Sequence, residues 1–245
     1  MDSAVPNAAA GDAPSGTPGA ATEEPPAGVP EADSSVARVA RGAGISTVGQ
    51  GFGRFVGYGT QFVLGGLYGP SGFGLYGLGV GAINGVNILA RFGMDNGVVR
   101  WVAHHREHGD DSRVRGTIIQ AIGVTFFISL ALSILMFFGA GAVAGFYDKP
   151  DLEPIIAAFA VALPFYTFMS MVLWAMQGFK TVTYASYVQQ MIRPALHLVL
   201  IGMFYFLVDG LIGAVVAYAV SMLLGGVVAV YFLRKLFPPL LDGKV

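Results

Sequence analysis

Two long apolar runs lie within residues 44–101, separated only by Gly69 and Pro70. Each run has about the 20 residues that an α-helix needs to cross the hydrocarbon core of a bilayer. Glycine followed by proline is a strong signal for a break between two helices. The segment therefore predicts a membrane hairpin.

Polar and charged side chains recur at spacings of three and four in both runs, which places them along one face of each helix. Ionisable groups at membrane depth are costly and usually face a bundle interior or a watery cavity. We therefore expect both stripes to border such a cavity. The first stripe comprises Thr47, Gln50, Arg54, Tyr58 and Gln61, and the second comprises Asn84, Asn87, Arg91 and Asp95.

Glycine repeats at every fourth position in the same two runs. Small residues at this spacing let helix backbones approach closely in lipid. We interpret these glycines as packing positions rather than as ligand contacts. They are Gly49, Gly53 and Gly57 in the first run, and Gly77, Gly81 and Gly85 in the second.

The composition is that of a membrane protein, since 54% of the 245 residues are hydrophobic and only 12% are charged. Ordinary soluble domains have about 25% charged residues. Four further apolar runs follow the hairpin, at residues 117–146, 155–177, 184–208 and 211–233. We predict an all-α integral membrane protein whose six transmembrane helices form one lobe over residues 41–240. Because cysteine is absent, disulfide bonds and thiolate chemistry are excluded.

Two of the later runs have polar faces of their own. The fourth run has a modest stripe of Thr167, Ser170, Trp174 and Gln177, and the fifth has Ser186, Gln190, Arg193 and His197. Residues 1–40 are rich in Ala, Gly, Pro and Ser, and they have too little apolar surface to offset the entropy of ordering. They predict a disordered tail, and residues 241–245 form a second, short tail.

Lysine and arginine are distributed unequally among the links between the runs. Ten lie on the side of the amino end and only Lys149 lies on the other side. Positive residues are retained on the cytoplasmic side, so we expect a multi-pass protein of the cytoplasmic membrane with both termini in the cytoplasm. At 1.5 Å per residue, Arg54 and Arg193 then lie about 15 Å deep, and Arg91 lies closer to the cytoplasmic boundary.

Three glycine-rich stretches have a distinctive order along the chain. These are ARGAGISTVGQ, with Arg54 following it, then YGPSGFGLYGLG, and LARFGMDNGVVRWVAHHREHGD. They resemble the flippases of lipid-linked oligosaccharides and polysaccharides, within the multidrug/oligosaccharidyl-lipid/polysaccharide exporter superfamily. The similarity continues more weakly through all six runs, including the LPF of the fourth.

The resemblance implies a fold of two six-helix lobes, related by an axis along the membrane normal, with the substrate cavity between them. This chain resembles the amino-terminal lobe alone. We therefore expect it to need a second six-helix lobe or to form a homo-oligomer, and a truncated or split gene product remains open. The expected partners also include membrane lipids, and no nucleic acid is expected.

The substrate that the resemblance implies is a lipid carrier with a pyrophosphate and a sugar chain. A pyrophosphate in hydrocarbon is very unfavourable, so transport requires a hydrated, cationic interior. Arginine keeps its charge and presents a planar fork of donors to phosphate. We expect Arg54, Arg91 and Arg193 to bind the headgroup. Hydrogen bonds to sugar or water are expected from Gln50, Gln61, Asn84 and Asn87.

Some of these residues have a second interpretation. Arg91 is one turn from Asp95, and the two form a structural ion pair in the alternative interpretation. Asp95 and His197 are candidates for a protonatable coupling site, because histidine titrates near neutrality, or they simply satisfy their neighbours. His104 and His108 have the spacing of a metal pair, but no third ligand accompanies them. We expect neither a metal nor a cofactor.

Two other functions remain open. A membrane sugar-lipid transferase requires convergent carboxylates or a nucleophile with a base. The only acid within the apolar runs is Asp95, so we do not expect an enzyme. A noncatalytic membrane subunit of a polysaccharide synthesis complex is the other alternative, and it is compatible with a single lobe.

Overall fold

The computed structural model describes residues 30–179 and 182–238, and throughout these ranges the regular elements are helices. The first 29 residues of the predicted tail and the short tail at 241–245 lie outside the described part. The helices are α1 Pro30–Arg91, α2 Met94–Glu107, α3 Asp111–Phe138, α4 Ala140–Phe146, α5 Leu152–Gln177, α6 Val182–Ser186, the π-helical segment Tyr187–Ile192, α7 Arg193–Leu207 and α8 Ile212–Leu236.

Among the described residues, five helical stretches are long and apolar enough to cross a membrane. They are Gln50–Arg91, Asp111–Phe138, Leu152–Gln177, Thr183–Leu207 and Ile212–Leu236. The first has 42 residues, which would extend about 63 Å if straight, roughly twice the thickness of the hydrocarbon core. It is not straight, because Gly69 has non-helical dihedrals of φ 70° and ψ 177°. The helical membrane fold predicted from the sequence is confirmed.

The two arms of α1, residues 50–68 and 70–91, fold against each other. Gly53 and Val80 line the same cavity, although in a straight helix they would be about 40 Å apart. Glycine at position 69 permits the left-handed φ that the reversal requires, and Pro70 removes the backbone donor that would continue the first arm. The predicted hairpin is therefore formed at the predicted place.

The helices predicted for the second and third apolar runs are each interrupted once. After Arg91, the chain turns through Phe92 (φ 42°) and Gly93 (φ 76°) before α2 begins. The third run is interrupted at Gly139, where α3 ends and the seven-residue α4 begins. Glycine is costly in a helix interior, and in both cases the break coincides with one.

Helices α5 and α8 form the centre of the bundle. The side chains of Phe159, Leu163 and Met222 are fully buried there. Small residues on α8 allow the close approach, since a Cβ on Gly225 would lie 2.9 Å from the sulfur of Met169 on α5. Packing of small residues against a neighbouring helix is the main source of association in lipid. The remaining helices are arranged around this pair.

The second arm of α1 packs on α5 by the same principle. A Cβ on Gly79 would collide with the ring of Phe159, so only glycine allows this contact. Polar groups add to the attachment: Thr167 on α5 donates to the amide oxygen of Asn87 at 3.0 Å, and Tyr166 donates to that of Asn84 at 3.0 Å. Interhelical hydrogen bonds of this kind stabilise membrane bundles by about 0.6 kcal/mol each.

Candidate functional site

A polar cavity of about 220 Å³ lies where the second arm of α1 and α5 meet the stretch Thr183–Leu207. Its wall contains two arginines, several amides and two aromatic rings, in a bundle whose remaining interior is mostly apolar. We call it the polar cavity, and its lining is Asn87, Arg91, Tyr166, Met169, Ser170, Leu173, Trp174, Gln177, Gln189 and Arg193.

Arg91 occupies the last turn of α1, and Asp95 occupies the first turn of α2. Their side chains form an ion pair with Nη1 and Oδ2 3.1 Å apart, and the two side chains are 17% and 19% exposed. Each charge also opposes the partial charge of its helix end. The predicted structural pair is therefore present, and it bridges the break at Phe92 and Gly93.

The ion pair does not use all the donors of Arg91. Its Nε is buried and has no hydrogen-bond partner among the described residues. A buried donor without a partner costs roughly 1–3 kcal/mol. The two interpretations of Arg91 are compatible, because Nη1 pairs with Asp95 while the same side chain also lines the polar cavity.

Arg193 begins α7 directly after the π-helical segment. Pro194 has no N–H to donate to the carbonyl of Gln190, four residues earlier. The preceding turn is also wider than an α-helical one. The Arg193 N–H donates to the carbonyl of Val188, five residues earlier rather than four. Such π-turns occur frequently at functional sites. The half-buried Arg193 side chain passes over Gly225 of α8, where an added Cβ would lie 3.8 Å from its Cγ.

Arg193 also borders a second cavity, of about 320 Å³, between the two arms of α1 and α7. We call it the aromatic cavity. Gln61 and Thr60 contribute polar groups to its wall, and the complete lining is Gly53, Gly57, Thr60, Gln61, Leu64, Phe73, Tyr76, Gly77, Val80, Arg193, Pro194, His197 and Tyr218. The two cavities therefore share Arg193.

His197 is held between two tyrosines in this second cavity. Its Nε2 is 3.2 Å from the hydroxyl oxygen of Tyr76, the two rings are stacked at 6.4 Å, and Tyr218 lies edge-on at 5.5 Å. The contacts satisfy the imidazole within the bundle, as one of the two interpretations of His197 expects. A coupling role for His197 or Asp95 stays a prediction.

The structure brings together some of the predicted headgroup residues and separates others. Arg91, Arg193 and Asn87 border the polar cavity, and Gln61 borders the aromatic cavity. Arg54, Gln50 and Asn84 are exposed and lie outside both linings. The depth estimate from the sequence separates Arg91 from Arg193, whereas the structure brings both to the wall of one cavity.

Five polar or aromatic side chains of the polar cavity were not among the predicted site residues. They are Tyr166, Ser170, Trp174, Gln177 and Gln189. Three of them belong to the polar stripe of the fourth run, so the spacing within α5 was the available signal. Gln189 lies in the π-helical segment, where an i, i+4 pattern assigns residues to the wrong face.

Comparison with solved structures identifies the fold. The chain is similar to a MATE in the straight conformation, with a TM-score of 0.73 and 17% sequence identity over 88% of this chain and 49% of the other. It is also similar to an outward-facing multidrug resistance MATE family transporter of the MOP superfamily, with a TM-score of 0.71 and 17% identity over 92% of this chain and 50% of the other. The chain thus spans about half the length of these transporters.

Sequence comparison identifies the family. No curated protein matches the chain. The model of a family described as "Polysaccharide biosynthesis protein" matches residues 39–243, which include every predicted transmembrane run. The predicted relationship to proteins of polysaccharide biosynthesis is confirmed by this match, and the solved MATE structures share the fold. The chain belongs to the polysaccharide biosynthesis protein family.

Proposed function

We propose that the chain is one lobe of a flippase that moves a lipid-linked oligosaccharide across the cytoplasmic membrane. The observation that supports this most strongly is the presence of Arg91 and Arg193 in the wall of one polar cavity. Two guanidinium groups with one nearby carboxylate leave an excess of positive charge. An anionic headgroup is the complementary ligand.

The diphosphate of the carrier is the part of the substrate that needs these arginines. Moving it through hydrocarbon without compensation would cost many kcal/mol. A guanidinium offers two parallel N–H donors to two phosphate oxygens, and charge-assisted bonds of this type are about twice as strong as neutral ones. In this proposal Arg193 and Arg91 replace the water shell of the diphosphate.

The remainder of the polar cavity suits a sugar. Ser170, Gln177 and Gln189 provide donors and acceptors for hydroxyl groups. Trp174 provides a flat apolar surface with a polar edge, which fits the alternating apolar and polar faces of a pyranose ring. Convergent polar groups of this kind fix the orientation of a ligand in small-molecule sites.

A second lobe completes the transporter in this proposal. The matching solved structures are about twice as long as this chain. Parallel repeats related by an axis along the membrane normal place the substrate site between them. Exposed Arg54 and Gln50 on the first arm of α1 then border the space that the second lobe encloses. Both termini lie in the cytoplasm, as the distribution of positive charge indicates.

Flux measurements on the chain purified with its native partners and reconstituted in proteoliposomes test the proposal. We expect a diphosphate-linked oligosaccharide lipid to cross about tenfold or more faster than the same oligosaccharide on a neutral lipid, because one charge-assisted bond contributes roughly 1.5–3 kcal/mol. A lipophilic cation is tested as the third compound, for comparison. Equal rates for the two glycolipids, or transport of the cation alone, would contradict the proposal.

A further inference from the structure

Helices α2 and α3 form an antiparallel hairpin that turns at Gly109, where φ is 67°. Its inner side is fixed to the bundle by the buried side chains of Val102 and Ile118. Arg106 strengthens this attachment, since its Nη1 donates to the carbonyl of Phe179 at 2.8 Å and its guanidinium lies over the Phe179 ring. The hairpin is therefore a rigid part of the lobe.

A groove of about 450 Å³ lies between α2 and α3, separate from the two cavities described above. Its wall is mostly apolar, with Thr117 and Gln120 as the polar side chains. Phe92 is 84% exposed and Trp101 is 53% exposed at its two ends. The complete lining is Phe92, Gly93, Met94, Gly97, Val98, Trp101, Thr117, Gln120 and Ala121.

If α3 crosses the bilayer, the groove lies close to the depth where headgroups give way to acyl chains. Thr117 and Ala121 follow the start of α3 at Asp111 by six and ten residues, which corresponds to about 9–15 Å along the helix. The 28 residues of α3 extend about 42 Å, which is the full thickness of a bilayer with both headgroup layers. A position about 9–15 Å from its start is therefore just inside the hydrocarbon, next to one headgroup layer. Tryptophan is enriched at that level, because its ring is apolar and its N–H is polar.

Two exposed arginines flank the cytoplasmic end of the groove. Arg113 is one turn before Thr117 on the same face of α3, and Arg100 is one turn after Gly97 on α2. Within the part of the chain that the structure describes, Arg100 makes no ion pair. Arg113 pairs with Asp110 at 3.1 Å, with its side chain 70% exposed, and such surface pairs are weak.

The carboxylate of Asp110 caps the N-terminus of α3. It accepts hydrogen bonds from the Ser112 hydroxyl and the Arg113 backbone N–H, and these bonds hold the pKa of Asp110 below its usual range. A negative charge at a helix N-terminus offsets the partial positive charge there. Asp111 is about 120° away from Thr117 around α3, so it does not share the groove face. On that face, the two exposed arginines therefore outnumber the one carboxylate of Asp110.

We propose that the groove between α2 and α3 binds an anionic phospholipid of the cytoplasmic leaflet, with the phosphate near Arg100 and Arg113 and an acyl chain between Phe92 and Trp101. The charge selects the headgroup, and the exposed rings cover the chain. Each arginine near an anionic surface contributes a factor of about five to the binding constant. The inference does not depend on the transported substrate.

Tryptophan fluorescence provides the test, because Trp101 and Trp174 are the only tryptophans in the chain. In the full chain with Trp174→Phe, reconstituted in vesicles, Trp101 reports on the groove alone. Phosphatidylglycerol and phosphatidylcholine with brominated acyl chains are added at equal mole fractions. We expect brominated phosphatidylglycerol to quench Trp101 several-fold more strongly than brominated phosphatidylcholine.

Arg100→Ala with Arg113→Ala should remove this preference. Arg234→Ala with Lys235→Ala, which removes two exposed charges from the last turn of α8, is the matched control and should retain it. Thermal unfolding of each variant confirms that the hairpin remains folded. Three results would overturn the proposal. Either the two lipids quench equally, both quench weakly because another chain covers the groove, or the preference survives without the two arginines.

Discussion

Arg193→Ala is expected to reduce the flux of a diphosphate-linked oligosaccharide about tenfold to a hundredfold, with little change in the amount of folded protein. The side chain borders both cavities, and its loss removes one charge-assisted contact to phosphate, which contributes roughly 1.5–3 kcal/mol. Initial flux at substrate concentrations below saturation is the measurement. Size-exclusion profiles in detergent report on folding.

Arg193→Lys shows whether the charge or the shape of Arg193 matters, and Arg234→Ala serves as a control. Arg193→Lys keeps the charge but loses the planar fork, so we expect an intermediate flux. Arg234→Ala removes an exposed arginine from the last turn of α8 and should leave flux unchanged. Wild-type flux in Arg193→Ala, with the protein folded, would remove this residue from the mechanism.

Gly53→Ala is expected to separate the first arm of α1 from the π-helical segment. An added Cβ would collide with the backbone carbonyl oxygen of Gln190, and a backbone atom cannot move aside as a flexible side chain can. Inserting a methyl group into such a contact typically costs about 1–3 kcal/mol. Because Gly53 also lines the aromatic cavity, flux should fall together with the midpoint of thermal unfolding.

Gly51→Ala is the matched control for this substitution. It lies on the same arm, and a Cβ there would have no atom within 4 Å. Alanine is favoured over glycine in a helix by about 1 kcal/mol, so Gly51→Ala should unfold at the wild-type temperature or above it. If Gly53→Ala behaved like Gly51→Ala, the close contact between this arm and Gln190 would be wrong.

The fold was largely predictable from the sequence, because membrane crossings depend on simple properties. A run of about 20 apolar residues has few alternatives in a bilayer, and Gly69 with Pro70 marked the turn of the hairpin. The breaks at Gly93 and Gly139 were not predicted. Isolated glycines are tolerated in many membrane helices, so their positions alone do not distinguish a break from a packing contact.

The candidate site was less predictable, because it depends on how helices rotate about their axes. Spacing correctly grouped Asn87 and Arg91 on one face, and both border the polar cavity. It could not identify Gln189, because the π-helical turn before Pro194 shifts the register of the stretch Thr183–Leu207. Nor could periodicity alone indicate that Arg54 lies on a face that this lobe leaves exposed.

Binding of a lipid-linked glycosyl diphosphate, measured through a double-mutant cycle of Arg91→Ala and Arg193→Ala, tests the central claim most directly. All four proteins should contain Asp95→Asn, so that removal of Arg91 leaves no unpaired carboxylate. If one headgroup occupies one cavity, each single substitution should weaken binding about tenfold or more, and the double substitution should weaken it by a factor that differs clearly from the product of the two. Unchanged affinity, or losses that multiply as independent effects, would contradict the account.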